Sequence, residues 1–214
     1  MDGVVVARLE AGLEALGLDR DPERIQAQQH YLELMVRWNR VHNLTAIQGD
    51  RELVSHHLLD SLSIHRFLHG DRVLDVGSGA GLPGIPLAIY HPARHFTLLD
   101  ASAKRVRFLR QCALELGLDN VVAVHARIER YTPVEGFATV VSRAFATLAD
   151  FTLAVRHAVS PGGHMLAMKG RYPAAELDAL PTGVRVHAVH ELQVPGLDAR
   201  RHLADLGWEA NDHN

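Results

Sequence analysis

Hydrophobic residues in the first third of the chain recur at the spacing of a helix face. Val5, Leu9 and Leu13 lie three to four positions apart and predict a helix over residues 4–17. Further helices are expected before the first strand-like run. The pattern therefore predicts a helical extension over residues 1–69.

The starts of the next two helices are marked by aspartates. Asp21 is followed by Pro22, and this pair is typical of a helix start, since Asp caps the first turn and Pro fits its first position. Asp50 is predicted to cap a third helix. Between these helices, residues 43–47 are expected to be irregular.

The pattern changes after residue 70 to short apolar runs that alternate with helical periods. This alternation predicts a mainly parallel sheet with helices on both faces, in a Rossmann-like domain over residues 70–214. A ligand of such a sheet binds beyond the carboxyl ends of the strands. The predicted strands are 73–76, 95–100, 121–125, 138–142, 164–168, 184–190 and 201–206, and the predicted helices are 83–90, 102–117, 147–158 and 173–180, with a turn at 161–163.

A glycine-rich turn follows the first predicted strand. Gly77, Gly79 and Gly81 occupy alternate positions, and Leu82 stands where the dinucleotide fingerprint requires its third glycine. Asp100 ends the second predicted strand, where a carboxylate can accept hydrogen bonds from ribose hydroxyls. Together they favour an adenosyl ligand without a pyrophosphate over a turn that binds nothing.

Composition narrows the class of protein. The 214 residues are 47% hydrophobic, which fits one globular domain with an extension. Cys112 is the single cysteine and excludes an internal disulfide, and the N-terminus lacks the features of a signal peptide, so a cytoplasmic protein is expected. No apolar run approaches the roughly 18 residues that span a bilayer. The net charge of −3 gives no general attraction to nucleic acid.

The fifteen histidines do not suggest a metal site by their spacing. His56 and His57 are adjacent and face different directions on a helix, and no His or Cys pair has the spacing of a zinc site with two further ligands. No metal is therefore expected. His57, Asp60 and Ser61 are expected to brace the helical extension against the sheet domain, and Tyr31 and Trp38 to pack within the extension.

Several motifs, taken in order, resemble one family. The glycine frame with Asp75 and Asp100 is similar to that of class I S-adenosylmethionine-dependent methyltransferases. The further stretches resemble the RsmG (GidB) family of 16S ribosomal RNA guanine-N7 methyltransferases over residues 25–206. These stretches are Asn43-Leu44-Thr45, His57-Leu58-Leu59-Asp60-Ser61, Gly79-Ala80-Gly81-Leu82-Pro83-Gly84-Ile85-Pro86-Leu87, Ser142-Arg143-Ala144, Pro161-Gly162-Gly163, Lys169-Gly170 and Arg201-His202.

The resemblance implies transfer of a methyl group from S-adenosylmethionine to N7 of a guanine at position 527, in the 530 loop of 16S rRNA. It implies 16S rRNA or a small-subunit particle as the partner, and a monomeric enzyme is expected. The cofactor contacts expected from the resemblance and the turn are Gly77, Ser78, Gly79, Gly81, Leu82, Asp100, Ala101, Ile128, Glu129 and Arg143.

Basic residues near the predicted strand ends are the candidates for catalysis and for RNA contact. Guanine N7 carries an unprotonated lone pair, so its attack on the sulfonium methyl needs alignment and no base. Arg143 is expected to hold a phosphate, guanine O6 or the cofactor carboxylate. The catalytic candidates are Arg143, Arg127 and Arg201, and the RNA candidates are Lys104, Arg127, Lys169 and Arg201.

Three other functions remain open at this point. The chain could methylate a small molecule or protein, or it could be an RNA-binding or ribosome-assembly module without catalysis. An NAD-linked oxidoreductase is disfavoured by Leu82 and by the absence of clear hydride-transfer residues.

Overall fold

The computed structural model describes residues 3–42 and 50–209, with the backbone alone at residues 41, 42, 50 and 51. The predicted irregular segment 43–47 lies outside the described residues, as does the Asn43-Leu44-Thr45 motif. The helices before the sheet are α1 (Gly3–Ala15), α2 (Pro22–His42), α3 (Asp50–Leu53), a π-helical segment (Val54–Leu59), α4 (Asp60–Leu62) and a short 3-10 helix (His65–Phe67).

The remaining elements alternate between strands and helices, as predicted. They are β1 (Arg72–Val76), α5 (Gly84–Tyr90), β2 (His95–Asp100), α6 (Ala103–Glu115), β3 (Val121–His125), β4 (Phe137–Ser142), α7 (Leu148–Val155), β5 (Val159–Lys169), α8 (Ala174–Asp178), β6 (Val184–Leu192) and β7 (Arg201–Trp208). Single 3-10 turns lie at Ile128–Arg130 and Arg156–Ala158.

Local sequence signals explain several helix starts. The Asp21 side chain accepts hydrogen bonds from the N–H groups of Glu23 (2.8 Å) and Arg24 (3.3 Å), which confirms the predicted cap of α2. Ser102 and Thr147 cap α6 and α7 in the same way. Asp50, expected as a cap, is instead the first residue of α3.

The seven strands form one mixed sheet in the order β3-β2-β1-β4-β5-β7-β6. β1 to β5 are parallel to one another, and β7 runs antiparallel to both β5 and β6. The sheet is therefore mainly parallel, as predicted. Strand order reverses between β1 and β4, and the carboxyl ends of these strands meet at that point.

The sheet separates two hydrophobic clusters. Alternate residues of a strand point to opposite faces, so Val73 joins one cluster and Leu74 the other. The first cluster includes the helices of residues 3–62 together with α5 and α6, whereas the second includes α7. The core on the first face is thus shared by residues before and after position 69, and the boundary between 1–69 and 70–214 stays a prediction.

Side chains of the extension make specific contacts with the sheet domain. The buried Gln28 side chain donates to the Pro86 carbonyl at 2.9 Å, and the Tyr31 hydroxyl donates to the Ala80 carbonyl at 2.6 Å. Trp38 stacks on Phe108 of α6 with ring centroids 5.4 Å apart. Tyr31 and Trp38 are therefore packing residues, as expected from the sequence.

Within the described parts of the chain, no helix combines the length and the apolar composition needed to cross a membrane. The single cysteine, Cys112, is fully buried in α6. Burial raises the pKa of its thiol well above the ordinary value, which fits its expected role as a small core residue.

Candidate active site at the carboxyl ends of the strands

The glycine turn after β1 requires glycine at alternate positions. Gly77, Gly79 and Gly81 have φ angles of 73°, 60° and 93°, a region that side chains with a Cβ disfavour. The N–H groups of Gly77 and Ser78 both donate to the Leu99 carbonyl, at 2.8 and 3.1 Å. These bonds fix the turn to the end of β2, beside the predicted ligand position.

Asp100 joins the end of β2 to this turn. One of its carboxylate oxygens accepts the Gly79 N–H at 2.9 Å, and the other accepts the Ser102 N–H at 2.8 Å. The Arg105 guanidinium lies 3.5 Å away, and the residue is 4% exposed. Because each carboxylate oxygen can accept more than one hydrogen bond, both can still accept from a sugar hydroxyl.

A cleft opens at this edge of the sheet and encloses about 490 Å³ of space, including its mouth. Its walls come from the ends of β1, β2, β3 and β4, so it spans the point where strand order reverses. Its lining residues are Val76, Gly77, Leu99, Asp100, Ala101, Ala126, Arg127, Ile128, Glu129, Ala144 and Phe145.

Six of the residues predicted from the sequence line this cleft together: Gly77, Asp100, Ala101, Arg127, Ile128 and Glu129. Ile128 is buried, whereas Glu129 and Arg127 are exposed at the mouth. The arrangement brings the glycine turn, the strand-end acid and the segment after β3 around one space. Ligand contacts by these residues remain predictions.

The other predicted turn residues lie behind the cleft rather than in its lining. Ser78 is 2% exposed, and its hydroxyl donates to the Asp75 carbonyl at 2.9 Å. A Cβ at Gly81 would lie 2.6 Å from Ile85. Leu82 is also buried. The geometry of these three residues shapes the turn, and their predicted contact with the cofactor stays a prediction.

Asp75 is buried beneath the turn. One of its carboxylate oxygens accepts the Gly84 N–H at 3.0 Å, and the other has no hydrogen-bond partner among the described residues. Burial raises the pKa of this carboxyl group to about 7, although the Gly84 hydrogen bond acts against the rise. Asp75 is therefore an ionisable group whose charge changes near neutral pH.

Asp60 connects two of the three predicted catalytic arginines. Its carboxylate is 6% exposed and lies 3.2 Å from Nη1 of Arg143 and 3.0 Å from Nε of Arg201. Arg143 follows β4 and Arg201 begins β7, so the carboxylate of α4 holds two distant strand ends together. We call these three residues the Asp60 clamp.

The clamp also confirms the bracing role expected for the segment around Asp60. His57 is buried one turn earlier, and burial, together with the nearby Arg143 charge, lowers the pKa of its imidazole to about 4. Ser61 lies 3.5 Å from Nη1 of Arg143. The helical extension thus meets the end of β4 through polar contacts as well as through the apolar core.

Lys169 has internal partners that the sequence did not indicate. Its ammonium lies 2.8 Å from the Glu176 carboxylate and donates to the Ala146 carbonyl at 3.1 Å. The same carboxylate accepts the Leu148 N–H at 2.8 Å. Lys169 therefore positions the segment after β4, and its predicted RNA contact is untested. The remaining RNA candidate, Lys104, is exposed in the first turn of α6.

Two features of the site were missed by sequence reasoning. Phe145 lines the cleft and packs against Phe151 at a centroid distance of 5.3 Å; its place directly after the Ser142-Arg143-Ala144 stretch was an available signal. The pairing of Asp60 with both arginines had no local signal, because the three residues lie far apart in the chain.

The seven-stranded order and the cleft beyond its parallel strands define a methyltransferase domain of the class I, Rossmann-like type. A solved SAM-dependent methyltransferase from Aquifex aeolicus has the same fold, with a TM-score of 0.58 and 17% identity over 77% of this chain and 96% of that one. The family model described as rRNA small subunit methyltransferase G matches residues 24–204. The chain belongs to this rRNA small subunit methyltransferase G family.

Two relatives carry the same description over almost their full length. The ribosomal RNA small subunit methyltransferase G of Methylococcus capsulatus is 55% identical over 198 residues, covering 92% of this chain and 96% of the relative. That of Nitrosococcus oceani is 48% identical over 214 residues, covering 100% of both. The family resemblance predicted from the sequence is thereby confirmed.

Proposed function

We propose that the protein transfers the methyl group of S-adenosylmethionine to N7 of a guanine in the 530 loop of 16S rRNA. The family and the names of the relatives support the rRNA substrate. The observation that carries the proposal within the structure is the cleft, where the bare glycine turn and the Asp100 carboxylate face one space at the strand ends.

The residues of the cleft fit the proposed cofactor. Asp100 would accept hydrogen bonds from the ribose hydroxyls, and the backbone of Gly77 leaves room for the methionine part because no side chain projects there. Ile128 would offer its N–H to the adenine, with Glu129 beside it. Ser78, Gly79, Gly81, Leu82 and Ala101 would complete the cradle. When bound, the cofactor supplies the electrophilic sulfonium methyl.

The protein's part in the transfer is alignment and exclusion of water. Guanine N7 has its lone pair available, so no side chain has to remove a proton before attack. Positive charge moves from sulfur to the purine, and a guanidinium close to N7 would oppose this. We therefore assign Arg143 to a phosphate, guanine O6 or the cofactor carboxylate. The position of Arg143, fixed by Asp60 beside Ala144 of the cleft, supports this assignment.

The RNA would approach the edge that carries the cleft mouth. Arg127 lies at the mouth, and Arg201 is joined to Arg143 through Asp60. Together with Lys104 and Lys169 they are our candidates for phosphate contacts. Each such contact should contribute a slope of about −0.7 to the log–log dependence of affinity on salt for single-stranded RNA. An affinity that does not change with salt would refute these contacts.

The decisive experiment supplies methyl-labelled S-adenosylmethionine with small ribosomal subunits, or free 16S rRNA, that lack this methylation. We expect label in deproteinised RNA and 7-methylguanosine by nucleoside mass spectrometry. A substrate with the target guanine replaced should take up no label. Label confined to a protein or small molecule would point to a different methyltransferase, and RNA binding without any methylated nucleoside would indicate an assembly module.

Variants of Arg143 test its assignment in the same assay. Both Arg143→Ala and Arg143→Lys should lose turnover or RNA affinity, since lysine cannot reproduce the planar fork of the guanidinium. Unchanged values for both variants would remove Arg143 from the site. We further propose that the enzyme acts as a cytoplasmic monomer, which sedimentation of the purified protein at assay concentration would test.

A further inference from the structure

A cluster of imidazole rings lies at the end of the sheet opposite the cleft. His164 of β5 directs Nδ1 to the Asp205 carboxylate of β7 at 2.8 Å. The ring of His69, which precedes β1, stacks on His164 with centroids 3.5 Å apart and planes 6° apart. The ring of His187 from β6 lies 4.8 Å from His164. Four separate segments thus contribute to one cluster outside the proposed active site.

The backbone of His69 is fixed by a buried threonine. The hydroxyl of Thr139 in β4 accepts the His69 N–H and donates to the His69 carbonyl, each at 2.8 Å. Thr139 is fully buried. Two hydrogen bonds from one side chain therefore hold this exposed histidine beside His164, although no regular element contains it.

His187 reaches the cluster through an irregularity in β6. The pairing register with β7 shifts between Val186 and Ala188, which places His187 at a β-bulge. A bulge re-aims the side chain of its extra residue. On β7, a Cβ at Gly207 would collide with the His187 ring. The bulge and the glycine together make space for the imidazole.

We propose that His69, His164 and Asp205 bind a divalent transition-metal ion of the zinc class. One ligand atom from each of the three residues lies within 4.8 Å of the others. Imidazole nitrogen and carboxylate oxygen are ordinary zinc ligands, at about 2.0–2.2 Å from the ion. Water would complete the coordination, as it does in sites with three protein ligands.

Binding requires a modest rearrangement. Stacked rings direct their lone pairs side by side rather than to one point, so one ring must rotate, and His69 can do so because it is exposed. The ion would take the place of the proton shared by His164 and Asp205. Arg94 acts electrostatically on His69, so the Asp205 carboxylate is the group that makes the cluster attractive to a cation.

Spacing along the chain could not reveal this site. Our sequence expectation of no metal considered ligands that are close in sequence, whereas these three residues come from the loop before β1, from β5 and from β7. An ion here would tie those segments together at the amino end of the parallel strands. It lies away from the cleft and would act on stability rather than on methyl transfer.

Calorimetric titration of the chelator-treated, tag-free full chain with Zn²⁺ tests the proposal. We expect one ion per chain, and an increase of the midpoint of thermal unfolding when Zn²⁺ is added. His69→Ala should weaken binding by about 10- to 100-fold or more, a range that changes around metal sites produce. Because His69 is exposed, this variant should fold, which circular dichroism would verify.

His95→Ala is the matched control, because His95 is an exposed histidine outside the cluster. It should bind Zn²⁺ as the unaltered protein does. Asp205→Asn offers a second variant of nearly equal size, and it should also weaken binding. The proposal is overturned if the protein takes up no stoichiometric Zn²⁺, if His69→Ala binds equally well, or if His95→Ala loses as much affinity as His69→Ala.

Discussion

At the scale of single residues, Asp75 makes the stability of the protein depend on pH. Its carboxyl group has a pKa of about 7 in the folded protein, against an ordinary value of 3.8. Between these values the folded state retains a proton that the unfolded state has lost. The free energy of unfolding therefore falls as pH rises through this window, by at most about 1.4 kcal/mol per pH unit from this group.

Asp75→Asn should remove this contribution, since asparagine has a similar size and carries no charge. The difference in unfolding free energy between the variant and the unaltered protein should shift in favour of the variant from pH 4 to about 7 and level off above. Urea unfolding across this range measures it. Asp119→Asn, at an exposed position, should give a constant difference. A constant difference for Asp75→Asn as well would contradict the assigned pKa.

Asp100 is the residue on which the proposed cofactor affinity depends most. Asp100→Asn should lower the affinity for S-adenosylhomocysteine by about 10- to 100-fold, because hydrogen bonds to a charged group contribute about 1.5–3 kcal/mol. Calorimetric titration measures the change, with Asp119→Asn as the control. Equal affinities for Asp100→Asn and the unaltered protein would argue against the ribose contact.

At the scale of elements, the Asp60 clamp holds the start of β7 and the end of β4 against α4. Asp60→Asn removes the charge that both guanidiniums share, so the arginines should no longer keep their positions. We expect kcat for rRNA methylation to fall on the order of 10- to 100-fold, as small misplacements of positioning groups can cause. The affinity for S-adenosylhomocysteine should be unchanged, because Asp60 does not line the cleft.

The control for this variant is Glu135→Gln, which breaks the exposed ion pair between Arg72 and Glu135. Exposed pairs contribute little, so this change should leave kcat as it is. The clamp would lose its assigned role if Asp60→Asn kept full kcat. The same would hold if both variants reduced kcat by the same factor.

Strands bounded by clear apolar runs could be predicted from the sequence almost to the residue. β2 and β3 have the predicted bounds, 95–100 and 121–125. β5 was predicted only over 164–168, because Pro161, Gly162 and Gly163 read as a turn, whereas the strand runs from Val159 through them with a register shift against β4. Proline and glycine signal a break locally, but the neighbouring strand still pairs across an irregularity.

Helices were less accurate where their geometry departs from the standard period. The predicted helix after Asp50 contains the π-helical segment Val54–Leu59, and a pattern of 3.6 residues per turn cannot reveal that widening. The predicted helix 147–158 ends at Val155 and continues only as a 3-10 turn. In both cases packing against the sheet, rather than local preference, sets the course of the backbone.

The candidate site was predictable to the extent that it is built from contiguous motifs. The glycine turn, Asp100 and Ile128–Glu129 each follow a strand, and parallel strands bring their ends together. The Asp60 clamp and the partners of Lys169 could not be anticipated, since they join residues that only the tertiary fold brings close. Charge and spacing nominate a basic residue, but its partners decide what it contacts.

At the scale of the whole molecule, the helical extension and the sheet domain share one hydrophobic core. A shared core predicts that both parts unfold together. The two tryptophans report on them separately, since Trp38 lies in α2 and Trp208 ends β7. Trp38→Phe and Trp208→Phe each leave one fluorescent reporter.

Within each variant, the urea midpoint seen by its tryptophan should equal the midpoint seen by circular dichroism of the backbone. A coincident transition is the signature of a single cooperative unit. If the Trp38 signal changed at a lower urea concentration than the backbone signal, the extension would unfold on its own. The division at residue 69 would then mark an independent domain rather than a segment of one core.

The position of β7 has a consequence for biosynthesis. β7 follows β6 in the chain but lies between β5 and β6 in the sheet, and it also begins with Arg201 of the clamp. While the ribosome has translated only as far as Leu192, the nascent chain has no neighbour for β6 and no second guanidinium for Asp60. The enzyme that would mark new ribosomes therefore gains its complete architecture only when the strand made after all the others slides between two that are already present.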